Sequence, residues 1–193
     1  MIAPFLMAGA ATAATFNFET DPFTAMTPFS STASGLTASF AGSTTVDPGA
    51  FEISYNSTSG PLPLYSGLTL SFLTTALGSI DPSSPLSITF SQAVSALSLS
   101  FALGDRSGSL TLTTNGGGSA TTVGAVPSGY NYAEGVLSYS GPAFTIATLS
   151  TRASGLAVDN INATLAASAV PEPATLVLLG TGLVGLVLRR RRA

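Results

Sequence analysis

The sequence predicts an all-β fold, an antiparallel two-sheet sandwich of jelly-roll-like type, followed by one C-terminal transmembrane helix. Three observations lead there. Apolar residues alternate with Ser and Thr at period two in many short runs, the pattern of strands with one packed and one wet face. Turn formers interrupt those runs at short intervals, and no amphipathic helical pattern precedes residue 174. From Ala174 to Leu188 the chain carries no charge, and four arginines follow.

The strands are expected in this order. Phe16 to Phe18 opens the series, then Leu36 to Phe40, Phe51 to Tyr55, Leu68 to Leu73 and Leu86 to Phe90. The clearest alternation is Leu97-Ser98-Leu99-Ser100-Phe101-Ala102-Leu103, whose odd-numbered residues form one apolar face. Gly104 to Gly108 supplies a turn, and Ser109 to Thr114 reads as the returning strand of a hairpin. Thr121 to Val126, Gly135 to Tyr139, Phe144 to Leu149 and Gly155 to Leu165 complete the set, the last with a break at Asp159-Asn160. Between them lie Asp47-Pro48-Gly49, Gly60-Pro61, Asp81-Pro82, Asn115-Gly116-Gly117-Gly118 and Pro127-Ser128-Gly129. The outward positions are Ser and Thr rather than charged residues.

At 193 residues there is room for one domain and little more. Residues 1–14 read as a signal-peptide remnant, 15–168 as the sandwich domain and 169–193 as a tail. Met1 to Ala14 is apolar, uncharged and ends in small residues. Both Ala11-Thr12-Ala13 and Thr12-Ala13-Ala14 fit the small-x-small cleavage rule, which puts the cut at Ala13 or Ala14. The positively charged start of a signal peptide is missing, and the alternative is a short apolar N-terminal strand.

Composition excludes more than it selects. The chain has no Cys, His, Trp or Lys. Its basic residues are Arg106, Arg152 and the run Arg189, Arg190, Arg191 and Arg192. Up to Pro173 there are two arginines against nine acidic residues, a net charge of −7. Such a body does not suit a phosphate backbone, so nucleic acid is not an expected partner. Charged residues make up 8% of the chain, against about 25% in ordinary globular proteins. Without Cys no disulfide forms, so core packing alone must hold an exported fold. Without His, Cys or Lys most nucleophile–base pairs are unavailable, and the isolated carboxylates nominate no acid–base pair. The expectation is a protein that is not an enzyme, has no catalytic residue and uses no cofactor.

The tail is the most informative stretch. Val170-Pro171-Glu172-Pro173 cannot lie inside a helix or strand, because each Pro removes an N–H and biases its predecessor to extended geometry. It is therefore an extended, accessible peptide. Residues 174–188 can lie in lipid as a helix with every backbone group paired internally. At 1.5 Å per residue the helix spans about 22 Å, short of a hydrocarbon core of about 30 Å. Local thinning and snorkelling arginines cover the difference. Arg189 to Arg192 act as a stop-transfer signal that stays cytoplasmic, which places the body outside the cytoplasmic membrane.

Val-Pro-Glu-Pro, a Gly-punctuated Leu/Val helix and a terminal Arg cluster, in that order, closely resemble the PEP-CTERM sorting signal. The resemblance implies that the chain is a substrate of an exosortase, a multi-spanning membrane processing enzyme, in a Gram-negative bacterium that makes extracellular polysaccharide. It implies recognition through Pro171, Glu172 and Pro173, with a transient membrane anchor and then a cell-surface or extracellular fate. The ends of the domain, Phe16-Asn17-Phe18-Glu19 and Gly155-Leu156-Ala157-Val158-Asp159-Asn160-Ile161, resemble the first and last strands of many β-sandwich domains that bear this signal. Such strands often lie side by side, and the likeness implies a relation to carbohydrate-binding jelly rolls.

Two further candidates concern the body. Tyr130-Asn131-Tyr132 sits beside a Pro-Ser-Gly turn and is the first choice for a ligand loop, since sugars stack on aromatic platforms; the alternative is that these rings cap the sandwich edge. Glu19, Asp21 and Asp159 are calcium candidates if the first and last strands pair, although ordinary turn capping explains them as well and no metal is assigned. The expected role is adhesive or structural at exopolysaccharide. The alternative is a carbohydrate-binding module with a discrete sugar site.

Overall fold

A computed structural model describes residues 12–22, 26–42, 51–55, 68–72 and 85–167. The expected transmembrane helix over 174–188 lies outside the described residues, as do residues 1–11. The described residues hold ten strands: β1 Ala13–Phe16, β2 Phe29–Ala33, β3 Leu36–Ala41, β4 Phe51–Tyr55, β5 Leu68–Phe72, β6 Leu86–Leu103, β7 Ser109–Thr114, β8 Ser119–Val123, β9 Ala133–Thr151 and β10 Leu156–Leu165. Every pairing between them is antiparallel, as the alternation predicts.

The sandwich is built from one continuous sheet. β6 and β9 are 18 and 19 residues long and pair with each other along most of their length. Each passes through both layers. Ser91–Ala93 of β6 and Gly141–Ala143 of β9 are exposed, and the register between the strands slips between Thr89 and Ala96. On one side of these bends, residues 86–90 of β6 and 146–151 of β9 join β2, β3, β7 and β8 in a first layer, in the order β2-β3-β6-β9-β7-β8. On the other side, residues 96–103 of β6 and 133–140 of β9 join β10, β5, β4 and β1 in a second layer. Sequence reading took Leu86–Phe90 and Leu97–Leu103 as two strands, and likewise Gly135–Tyr139 and Phe144–Leu149. The exposed residues at the bends hide the continuity, because there the alternation fails.

Inward residues of both layers form one core. Leu97, Leu99, Phe101 and Leu103 are buried, as the odd-numbered pattern requires. Phe16 on β1 meets Phe40 on β3 edge-on at 6.3 Å, a contact that joins the two layers. Phe18 and Phe29 also pack on Phe40, at 5.4 and 5.1 Å. Such aromatic pairs add about 0.5–1.5 kcal/mol beyond the area they bury. Phe18 holds its place with a φ of 61°, unusual for a bulky residue, in a position fixed by its ring contacts.

Two expectations need correction. The hairpin between Leu97–Leu103 and Ser109–Thr114 does not form. β6 already has β10 on one edge and β9 on the other, so β7 crosses to the first layer and pairs with β9 and β8. Residues 104–108 instead bind the 153–155 loop: Gly104 N–H donates to the Gly155 carbonyl (2.9 Å), and the Asp105 carboxylate accepts from the Ser154 hydroxyl (2.7 Å) and N–H (3.1 Å). The hairpin of this region is β7–β8, closed over Asn115–Gly118. The second correction is β2, which sequence reading missed. Ser34 and Gly35 close β2 on β3 as a two-residue turn with φ of 49° and 77°, the geometry of a type I′ hairpin. The Ser-Gly dipeptide was the available signal. The suspected break at Asp159-Asn160 is a bulge within a continuous β10, with Asn160 at a φ of 49°.

The bend of β9 stacks against the β7–β8 turn. The Tyr139 ring meets Phe144 edge-on at 5.5 Å, and a Cβ on Gly118 or Gly141 would collide with its hydroxyl end. That hydroxyl is buried with no hydrogen-bond partner among the described residues. Tyr139→Phe should therefore leave thermal stability unchanged or raise it by up to about 1 kcal/mol, since an unsatisfied buried polar group costs about 1–3 kcal/mol; a clear loss in chemical denaturation would refute this. Gly35→Ala should cost about 1 kcal/mol by the same measurement, because a Cβ there meets no neighbour and the penalty is purely that of the left-handed backbone.

Candidate functional site

The sorting residues Pro171, Glu172 and Pro173, and Arg189 to Arg192, lie outside the described residues. The last described residues are tied to the sandwich. Leu165 N–H donates to the Thr12 carbonyl (2.9 Å), and Ala166 N–H donates to Ala93 at the β6 bend (2.8 Å). β1 pairs with β10 from Ala13↔Thr164 to Phe16↔Ile161, so the first and last strands lie side by side as the resemblance implies.

The cleavage candidates Ala13 and Ala14 fall inside β1. Ala14 is 1% exposed and packs in the core. A cut at either residue removes part of a paired strand, so it has to precede the pairing of β1 with β10.

The Tyr130–Tyr132 loop is carried onto the outer face of the second layer. Tyr130 N–H donates to the Pro127 carbonyl (3.1 Å), and Gly129 turns the chain at a φ of 88°. Both rings are half-buried and pack on Ala102 of β6, as does Ala157 of the adjacent β10. Arg106 Nη1 donates to Asn131 Oδ1 (3.3 Å) across the loop. The two rings share that apolar base.

The acidic candidates are not brought together. Glu19 accepts the Leu68 N–H (3.0 Å), Asp21 accepts the Ser31 hydroxyl (2.9 Å), and buried Asp159 accepts the N–H and side-chain amide of Asn160 (2.6 and 3.1 Å). Glu19 and Asp21 bond to β5 and β2, and Asp159 serves the bulge of β10. Among the described residues no three His, Cys, Asp or Glu gather to hold a metal ion.

A feature that single strands do not reveal emerges on the outer face of the first layer. Each of its six strands turns a hydroxyl pair outward, at positions two apart. On the β2–β3 flank these are Ser30 with Thr32 and Thr37 with Ser39; on the β7–β8 flank, Thr111 with Thr113 and Ser119 with Thr121. In the centre Ser87 and Thr89 of β6 stand beside Thr148 and Ser150 of β9. The ladders place them in rows, Ser87↔Thr148↔Thr113↔Ser119 and Ser150↔Thr111↔Thr121. Flanking hydroxyls bond across strands: Ser30 to Ser39 (2.7 Å), Thr32 to Thr37 (2.9 Å) and Thr111 to Thr121 (3.1 Å). At one end the array opens into a groove of about 600 Å³ lined by Asp105, Ser109, Thr111, Ser150 and Arg152. A second groove, of about 470 Å³, lies on the second layer along Ser98, Ser138, Ser140, Asn162 and Thr164. The Ser/Thr wet faces were legible in the sequence, but their alignment depends on registers that only the fold sets.

Residues 169–192 match the model of the PEP-CTERM protein-sorting motif. The chain thus carries the sorting signal of an exported protein that is transiently anchored in the membrane and handled by an exosortase. No curated protein matches the chain. Among solved structures, a family 29 carbohydrate binding module is similar at 13% identity over 80% of this chain and 92% of that one, with a TM-score of 0.40. The catalytic unit of a thermostable GH87 alpha-1,3-glucanase from Streptomyces thermodiastaticus strain HF3-3 is similar at 18% identity and a TM-score of 0.34, over 55% of this chain and 22% of that one.

Because Glu19, Asp21 and Asp159 are each engaged elsewhere, millimolar calcium should leave the melting temperature unchanged. A site on the native state would have to raise it, so a reproducible upward shift in differential scanning fluorimetry would contradict this account.

Proposed function

We propose that the protein is a non-enzymatic cell-surface or extracellular-matrix-associated protein of a Gram-negative bacterium, sorted through its tail by an exosortase. Its sandwich body acts in adhesion or structure at extracellular polysaccharide. The match of residues 169–192 to the sorting motif carries the reading. Before processing, the 174–188 helix holds the chain in the cytoplasmic membrane with Arg189 to Arg192 on the inner side. Afterwards the body is at the surface or in the matrix. The body's chemistry supports this role: hydroxyl-rich outer faces, few charges, and no His or Cys for nucleophilic or acid–base work.

A second reading, a carbohydrate-binding module with a discrete site, is favoured by one observation. Tyr130 and Tyr132 both pack on the apolar base of Ala102, as an aromatic platform for a sugar requires. In that case Tyr132→Ala should weaken a defined sugar affinity by about tenfold, ~1.4 kcal/mol.

The sorting reading is tested by intact mass of the protein expressed with and without an exosortase. Loss of the residues from about Pro173 onward, only with the enzyme and abolished by Glu172→Ala, is expected. The same full-length mass in both hosts would reduce the tail to a plain anchor.

A further inference from the structure

We propose that the outer face of the first layer is a docking surface for a neutral polysaccharide chain lying across the strands. The inference rests on the extracellular reading above and deepens it by assigning the face and the class of ligand. Neighbouring strands lie about 4.8 Å apart, and residues two apart on one strand about 6.8 Å. A chain crossing this layer along the Ser87, Thr148, Thr113 and Ser119 row therefore meets a hydroxyl on each of four strands, and one along Ser30, Ser39 and Thr89 on each of three. Six side chains form the centre of that track: Ser87, Thr89, Thr111, Thr113, Thr148 and Ser150.

The chemistry of the face selects the ligand. A Ser or Thr hydroxyl donates one hydrogen bond and accepts two, and a sugar hydroxyl does the same. The match works in either direction and needs no charge. Where two protein hydroxyls already bond, one proton bridges them and the other remains to point outward. At the centre, Ser87, Thr89, Thr148 and Ser150 have no side-chain hydrogen-bond partner among the described residues, and Thr89 is exposed. Ile146, 37% exposed, stands beside Thr89 in the ladder and offers an apolar patch to the C–H face of a sugar ring.

Charge argues for a neutral polymer. Among the described residues, no acidic or basic side chain stands within the hydroxyl rows, and the chain up to Pro173 has a net charge of −7. A polyanionic polysaccharide would be repelled by the body and find no cation in the track. Asp105 and Arg152, of opposite sign, stand only at the groove that ends it. Shape argues for a single chain. A twisted six-stranded layer is not flat, so it follows one flexible polymer better than a crystalline surface. Each hydroxyl contact replaces one with water and contributes little alone. Binding therefore strengthens with polymer length as more rows engage.

The test uses the full-length protein in nonionic detergent, run on native gels cast with dextran, laminarin, galactomannan or alginate. Retardation by at least one neutral polymer and none by alginate is expected. A variant combining Thr89→Val, Thr111→Val, Thr113→Val and Thr148→Val keeps the β-branched shapes and removes four hydroxyls. It should weaken the affinity about tenfold or more, ~1.4 kcal/mol, while Val136→Thr, at an exposed position of the second layer, binds like the parent. The proposal is overturned if no neutral polymer retards the protein. It is also overturned if the folded quadruple variant binds like the parent, or if binding is lost in Tyr132→Ala and kept in the quadruple variant. Self-association of the parent that the valines abolish, with no polymer bound, would make the face an interface between copies and likewise sink it. Should the quadruple variant not fold, Thr111→Val and Thr148→Val singly must each weaken binding about twofold, or the proposal fails. None of these outcomes touches the exosortase-dependent mass change, so failure of docking and failure of sorting are read separately.

Discussion

Everything in this fold hangs on the ladder between β6 and β9. These two strands run through both layers, and the other strands attach to them directly or through one or two neighbours. A sandwich made from two separate sheets holds its halves together only by side-chain packing. Here the backbone hydrogen bonds themselves continue from one layer to the other around the bends at Ser91–Ala93 and Gly141–Ala143. The chain has no cysteine with which to fasten the layers, so this covalent and hydrogen-bonded continuity takes on that part. The core supplies the rest, with Phe16 and Phe18 from the N-terminal segment gripping Phe40 of the opposite layer.

How much of this was legible in the sequence follows from what is local and what is not. Alternation around Leu97–Leu103 fixes which side chains point inward, because in a strand that parity is set by backbone geometry alone. The side-by-side first and last strands and the irregularity at Asp159-Asn160 were also anticipated. The supposed hairpin through Gly104–Gly108 was wrong for a non-local reason: both edges of β6 were already taken by strands far away in sequence. β2 was missed because Phe29-Ser30-Ser31-Thr32-Ala33 is weakly apolar and its turn is Ser-Gly rather than a stronger glycine pair. Of the candidate sites, the Tyr130–Tyr132 loop could be named from its turn residues, whereas the hydroxyl rows depend on cross-strand register, which no single segment encodes.

The scarcity of charge on this body is a structural choice with a chemical result. Charged side chains keep surfaces soluble but also attract counter-ions and oppositely charged partners. Ser and Thr keep a strand wet through hydrogen bonding alone, and Thr retains the branched shape that strands favour. The acids that do occur are drawn into local duties: Glu19, Asp21, Asp105 and Asp159 each accept hydrogen bonds from nearby N–H or hydroxyl donors. Among the described residues, none of these carboxylates stands within the hydroxyl rows of the first layer.

The pairing of β1 with β10 also sets the order of events during export. A chain that leaves the cell N-terminus first presents β1 early, yet its partner strand is the last one before the tail. Until Leu156–Leu165 has crossed, the second layer lacks the strand to which β1, β5 and β6 all bond. Contacts so distant in sequence form slowly, since a long loop must close before they stabilise anything. The first layer needs neither β1 nor β10, so the two halves of the sandwich become complete at different times, and the one that holds both ends of the domain closes last.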